Sequence, residues 1–151
     1  MSSDYRDLLA AFNDHEVEFI VVGAHALAAH GHVRATKDLD VWVNPTSQNA
    51  KRVLSALNAF GAPLFGLTAA DLTTPGVIFQ LGVEPVRIDV LTSIAGVSFD
   101  DAWAERFPTK FDDQAVAVLS REKLITNKRA VGRVQDLADV AWLEANPQDP
   151  A

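Results

Sequence analysis

Apolar positions along the chain recur at two spacings, and each spacing predicts an element. In SSDYRDLLAAFNDH, Leu8, Leu9 and Phe12 fall three and four apart. That is the stripe of an amphipathic helix, with Ser3 or Asp4 as its cap. VEFIVVG is a nearly continuous apolar run closing on Gly23, which predicts a buried strand. AHALAAHG suits a short helix ended by Gly31. DLDVWV then reads as a strand stopped at Asn44-Pro45, and TSQNAKRVLSALNAFG as a helix ended by Gly61.

The middle segment APLFGLTAADLTTPG is broken by Pro63, Gly66, Pro75 and Gly76, and predicts a loop carrying one helical turn. VIFQLGVEPVRIDVL reads as two strands about a turn at Gly82 to Pro85. SFDDAWAERF suits a helix and QAVAVLS an alternating strand. From the cap residue Ser120, REKLITNKRA and RVQDLADVAWLEA predict two helices hinged near Gly132, before a frayed tail NPQDPA. The order α-β-α-β-α-β-β-α-β-α-α predicts an α+β (mixed α/β) domain spanning residues 1–151, with no repeat or linker and with two C-terminal helices over about residues 120–145.

Composition narrows the class. The chain has 151 residues, enough for one domain with a real core, and its 48% hydrophobic content is that of an ordinary globular protein. With no cysteine, a disulfide framework, a thiolate metal site and a cysteine nucleophile are all excluded. No apolar run approaches the ~20 residues of a membrane helix, and the N-terminus has no signal pattern, so a cytoplasmic location is expected. A net charge of −7 speaks against a long nucleic-acid duplex as partner. Lys123, Lys128, Arg129 and Arg133 nevertheless gather late in the chain, where they suit a phosphate group.

The candidate chemistry lies in the acids. Asp38 and Asp40 stand at i and i+2 of a predicted strand, so both project from one face while Leu39, Val41 and Val43 face the other. Like charges held so close repel unless a cation sits between them, and Mg²⁺ takes hard oxygen ligands of this kind. Asp89, in VRIDVL, has a similar setting, and three carboxylates suffice for a two-metal centre with ions ~3.5–4 Å apart. The plain alternative is a strand that begins with two solvated acids. DLDVWVNPTSQN lacks the glycine and terminal glutamate of an EF-hand, whereas a sugar-nucleotide transferase with a DxD motif usually needs a larger domain. His15, His25, His30 and His32 lack the helical i, i+4 pairing of a zinc site.

FIVVGA, DLDVWV and RIDVL, together with HGHVRATKDLD and ITNKRAVGRVQDLADV, resemble the nucleotidyltransferase superfamily that includes DNA polymerase beta. Within it they look most like the AbiEii-type toxin branch and related small bacterial proteins. The resemblance implies a small mixed sheet flanked by helices, and it implies roles position by position. Gly23 and Ala24 would cradle a triphosphate, helped by the N–H groups of the helix start that follows. Asp38, Asp40 and Asp89 would be the catalytic metal ligands, holding two Mg²⁺ ions for which Mn²⁺ can substitute. Arg34 would buttress the site or meet phosphate, Lys128 would contact phosphate or nucleotide, and Arg133 and Asp136 would line or support that part of the pocket. Ala24 replaces the usual second glycine or serine, and Gln135 stands where the branch often has lysine.

The implied reaction moves a nucleoside monophosphate from an NTP to an acceptor hydroxyl and releases pyrophosphate. The acceptor would be a tRNA, a protein side chain or a small molecule, with a toxin–antitoxin or phage-defence role in view; the acidic balance weighs against tRNA. A homodimer or a cognate partner protein would complete the acceptor groove. The competing reading is a weak or inactive relative that binds nucleotide or a partner.

Overall fold

The computed structural model describes residues 3–83 and 86–147. Its first half runs α1 (Ser3–Asp14), β1 (Phe19–Val22), α2 (Gly23–Ala29), β2 (Asp38–Val43) and α3 (Ser47–Phe60). A 3-10 turn at Asp71–Thr73 follows, then β3 (Ile78–Val83), β4 (Val86–Leu91) and α4 (Phe99–Ala104). The chain then forms β5 (Phe107–Phe111), β6 (Gln114–Val118), α5 (Arg121–Val131) and α6 (Val134–Ala145). The strands form one mixed six-stranded sheet in the order β3-β4-β2-β1-β6-β5, flanked by helices as expected. β2 runs parallel to β4, and β1 parallel to β6; the remaining neighbours are antiparallel.

The predicted apolar stripes form the core. Leu8, Leu9 and Phe12 are fully buried, as are Val53, Ala56 and Leu57 of α3, against which α1 packs. Each of the leucine, phenylalanine and valine side chains contributes roughly 1.5–3 kcal/mol through burial. Buried Asn49 joins the layers: its Nδ2 donates to the carbonyls of Glu18 and Asn44, and its Oδ1 accepts from the Glu18 N–H. This fixes the start of β1 beside the end of β2. Thr46 and Ser120 cap α3 and α5 by accepting from Asn49 N–H and Lys123 N–H, and Gly61 and Gly132 close those helices in the left-handed conformation.

Four expectations change. Ser3 and Asp4 lie inside α1, so its cap falls outside the described residues. Gly23 opens α2 rather than ending β1. The predicted helix 98–107 stops at Ala104, and Phe107–Phe111 forms a strand the apolar pattern missed. That strand lies at the sheet edge, where Pro108 withdraws no needed donor, and a two-residue turn with Asp112 at φ +53° leads into β6. Of the predicted β3–β4 turn, Glu84 and Pro85 lie outside the described residues, as does the tail from residue 148.

Candidate active site

Strand register assembles the acids. β2 and β4 are parallel with Asp40 beside Asp89 and Asp38 beside Arg87, so all four side chains share one face of the sheet. On the other flank of β2, β1 places Val22 beside Asp40, and the chain then turns at Gly23. Gly23 has φ +69°, and a Cβ there would overlap Oδ2 of Asp40. Only glycine satisfies both constraints, so the backbone lies directly against the carboxylate. Ala24 follows in α2, half-buried.

The cluster carries unbalanced negative charge. Burial pushes the Asp40 carboxyl up to about 6; the charges of Asp89 and Asp38 and a hydrogen bond to Asp89 add to the rise, and Arg87 opposes it. Burial also raises Asp89, against Arg87 and with Asp38. Tyr5, whose hydroxyl donates to the Lys37 carbonyl at 2.9 Å, is raised by burial and by Asp38, Asp40 and Asp89.

Arg87 bridges two of these acids, with Nη2 3.0 Å from Asp38 Oδ2 and Nε 3.5 Å from Asp89 Oδ1. Oδ1 of Asp38 and Oδ1 of Asp89 stay buried without a hydrogen-bond partner. Among the described residues no three His, Cys, Asp or Glu side chains stand together as a ready-made metal cage. The donors nonetheless fit a hard divalent cation: they are carboxylate oxygens, two of them unsatisfied, on adjacent strands. What departs from a metal arrangement is the guanidinium between them.

The other predicted residues meet elsewhere, around Asp139. Arg34 pairs with it bidentately at 2.6 and 2.7 Å, and Lys128 reaches it at 2.8 Å. Lys128 also lies 3.6 Å from Asp136, which the exposed Arg133 grips at 2.7 Å. Lys128, Asp136 and Asp139 are buried, and Gln135 Nε2 donates to Asp139 at 3.3 Å. Burial alone would raise Asp139, but hydrogen bonds and charge from Arg34 and Lys128 hold it down at about 2. Asp136 is lowered by its hydrogen bond to Arg133, against burial. His32 stacks on Trp142 beside this network, with centroids 4.4 Å apart. Trp42 shares the acids' face by parity but is buried edge-on against Phe99, a packing role.

Sequence reasoning left two of these residues out of the site. Arg87 stands two before Asp89, a spacing that puts it on the same strand face. Asp139 stands three after Asp136 on one helix face, a spacing compatible with a shared partner such as Lys128.

Residues 4–144 match the family described as "Nucleotidyltransferase of unknown function (DUF6036)". The chain belongs to this family. No curated protein matches this nucleotidyltransferase in sequence. Among solved structures it resembles the lincosamide antibiotic adenylyltransferase LnuA bound to lincomycin, with 13% identity, 96% of this chain and 97% of that one covered, and a TM-score of 0.60. It also resembles ANT(2'')-Ia in complex with adenylyl-2''-tobramycin, with 14% identity, 95% and 87% coverage, and a TM-score of 0.58. At such identities the likeness is one of fold, and it extends over nearly the whole nucleotidyltransferase.

Proposed function

We propose that this nucleotidyltransferase is a single-domain, Mg²⁺-dependent enzyme that transfers a nucleoside monophosphate from an NTP to a hydroxyl of a small-molecule acceptor. The observation that carries the reading is the in-register pairing of Asp40 with Asp89, with the Gly23 backbone packed on Asp40. The small-molecule acceptor is favoured because LnuA and ANT(2'')-Ia, with similar folds, hold lincomycin and an adenylylated tobramycin.

Asp38 and Asp40 would hold one divalent cation and, with Asp89, a second; Mn²⁺ substitutes for Mg²⁺. When bound, such ions offset triphosphate charge and lower the pKa of the acceptor hydroxyl. Gly23 and Ala24 leave room for phosphate oxygens to approach the backbone. The Asp89 carboxylate would help to activate the acceptor hydroxyl and take its proton. The acceptor oxygen bonds to the α-phosphorus, the P–O bond to the β-phosphate breaks, and pyrophosphate leaves with the electron pair. Positioning and electrostatics provide most of the rate.

Arg34, Lys128 and Asp136 act through the Asp139 network, fixing the segment before β2 against α5 and α6. Arg133 is exposed at the helix junction but is tied to Asp136 at 2.7 Å, so it would meet a nucleotide only by giving up that pair. A toxin–antitoxin role, with a partner protein completing the groove, extends the resemblance to the AbiEii-type branch. The test is calorimetric titration of a non-hydrolysable NTP analogue with and without Mg²⁺. Wild type should bind only with metal and Asp38→Asn should not bind; no binding by folded wild type overturns autonomous catalysis.

A further inference from the structure

Arg87 has no task in the reaction proposed above, yet it occupies the acid cluster. It sits on β4 opposite Asp38, and its guanidinium contacts Asp38 Oδ2 at 3.0 Å and Asp89 Oδ1 at 3.5 Å. We propose that Arg87 is a built-in counter-cation that keeps free divalent metal out of the cluster, so that metal enters together with a nucleotide whose phosphates draw the guanidinium away. This rests on the nucleotidyltransferase reading of the same site.

Competition for oxygen atoms carries the argument. A divalent ion of Mg²⁺ size bonds carboxylate oxygen at ~2.0–2.1 Å. A guanidinium nitrogen already 3.0 Å from Asp38 Oδ2 claims that oxygen, and two cations crowded there repel. The carboxylates are fixed by strand register, so the group that gives way is the long arginine side chain. With 33% of that side chain exposed, it has a path outward. Free metal offers the displaced guanidinium no new anion. A metal–triphosphate offers both a ligand set for the ion and phosphate oxygens for the planar arginine fork. Metal and nucleotide binding are therefore coupled through one residue. The Arg87–Asp38 contact is about a third exposed on both sides and by itself adds little to stability, whereas Asp89 is buried, so each variant's fold has to be measured beside its metal affinity.

The test is Mn²⁺ titration followed by electron paramagnetic resonance on wild type, Arg87→Gln and Arg87→Met, each shown to be folded by circular dichroism. Without nucleotide, both variants should bind Mn²⁺ about tenfold or more tightly than wild type, ~1.4 kcal/mol or more. A non-hydrolysable NTP analogue should raise wild-type Mn²⁺ affinity far more than it raises that of either variant. Variants that bind Mn²⁺ alone no better than wild type overturn the inference while leaving the proposed reaction standing. Wild type whose Mn²⁺ affinity ignores the analogue overturns it as well, with no substitution involved. If no form binds Mn²⁺ even with the analogue, the underlying reading falls and this inference with it.

Discussion

Replacing Asp40 by asparagine should make the metal-free protein more stable at pH 8 and leave it little changed near pH 4. In the folded protein the Asp40 carboxyl titrates at about 6, against an ordinary value of 3.8. A raised folded pKa means that the folded state holds a proton the unfolded state has released. Stability therefore falls as pH rises from about 4 to about 6, and the full penalty remains above that window. Two pH units correspond to a ceiling of ~3 kcal/mol, and partial exposure of Asp40 to solvent brings the expectation to ~1–2 kcal/mol. Asparagine keeps the shape, cannot ionise, and its amide can donate to Asp89 as the protonated carboxyl does. Urea unfolding in chelator at half-unit steps from pH 4 to 8 reads the difference for Asp40 and the acids coupled to it, since titrating groups away from the cluster cancel between the two proteins. A variant-minus-wild-type difference that stays flat across the range, or a variant less stable at pH 8, refutes the reasoning. Adding Mg²⁺ together with a non-hydrolysable NTP analogue at pH 8 should then stabilise wild type more than the variant.

Further substitutions separate backbone conformation, buried charge and helix capping. Gly23→Ala should cost about 2 kcal/mol or more, because a left-handed φ and overlap with Asp40 act together; Gly61→Ala, with φ +90° and nothing within 4 Å, should cost only ~1 kcal/mol, and equal thermal shifts would sink the comparison. Asp139→Asn leaves Lys128 buried beside a neutral side chain and should cost ~3–5 kcal/mol in urea unfolding, part of it recovered by adding Lys128→Met. The Asp139 carboxyl is held at about 2, so its contribution is present above pH 4 and lost as pH falls from 4 to 2; acid unfolding of wild type with no loss in that window counts against the assignment. Ser120→Ala removes the hydrogen bond to the Lys123 N–H and should lower stability by ~1 kcal/mol, read from the urea midpoint.

The acid face was legible because a strand has a fixed period. Asp38 and Asp40 at i and i+2 share a face in any register, and RIDVL repeats the pattern around Asp89. Which residue of β4 stands beside which residue of β2 depends on long-range pairing, so the Asp40–Asp89 match and the place of Arg87 emerged only with the sheet. The edge strand Phe107–Phe111 escaped notice for another reason. Its residues alternate between half-buried and exposed, and its Pro108 reads as a strand breaker where a central position is assumed. Asp139 was visible as a helix-face neighbour of Asp136. Its partner Arg34 is 105 positions away, and nothing in local spacing announces such a contact.

The two charged clusters are built to opposite rules, and that contrast separates their tasks. Around Asp139 the carboxylates are met by Arg34, Lys128 and Arg133, and both acids are held below their ordinary range. A cluster balanced in this way fixes elements against one another and has little left to offer a ligand. Around Asp40 three carboxylates face one arginine, Asp40 and Asp89 are raised, and two acid oxygens lack hydrogen-bond partners. Such an arrangement destabilises the isolated protein and gains stability when positive charge arrives. On the function proposed above, a fold that balances one cluster and leaves the other short of cations would bind its ligand on the β2–β4 face. The C-terminal helices would then serve as the brace for the segment before Asp38, which Arg34 ties to Asp139 of α6.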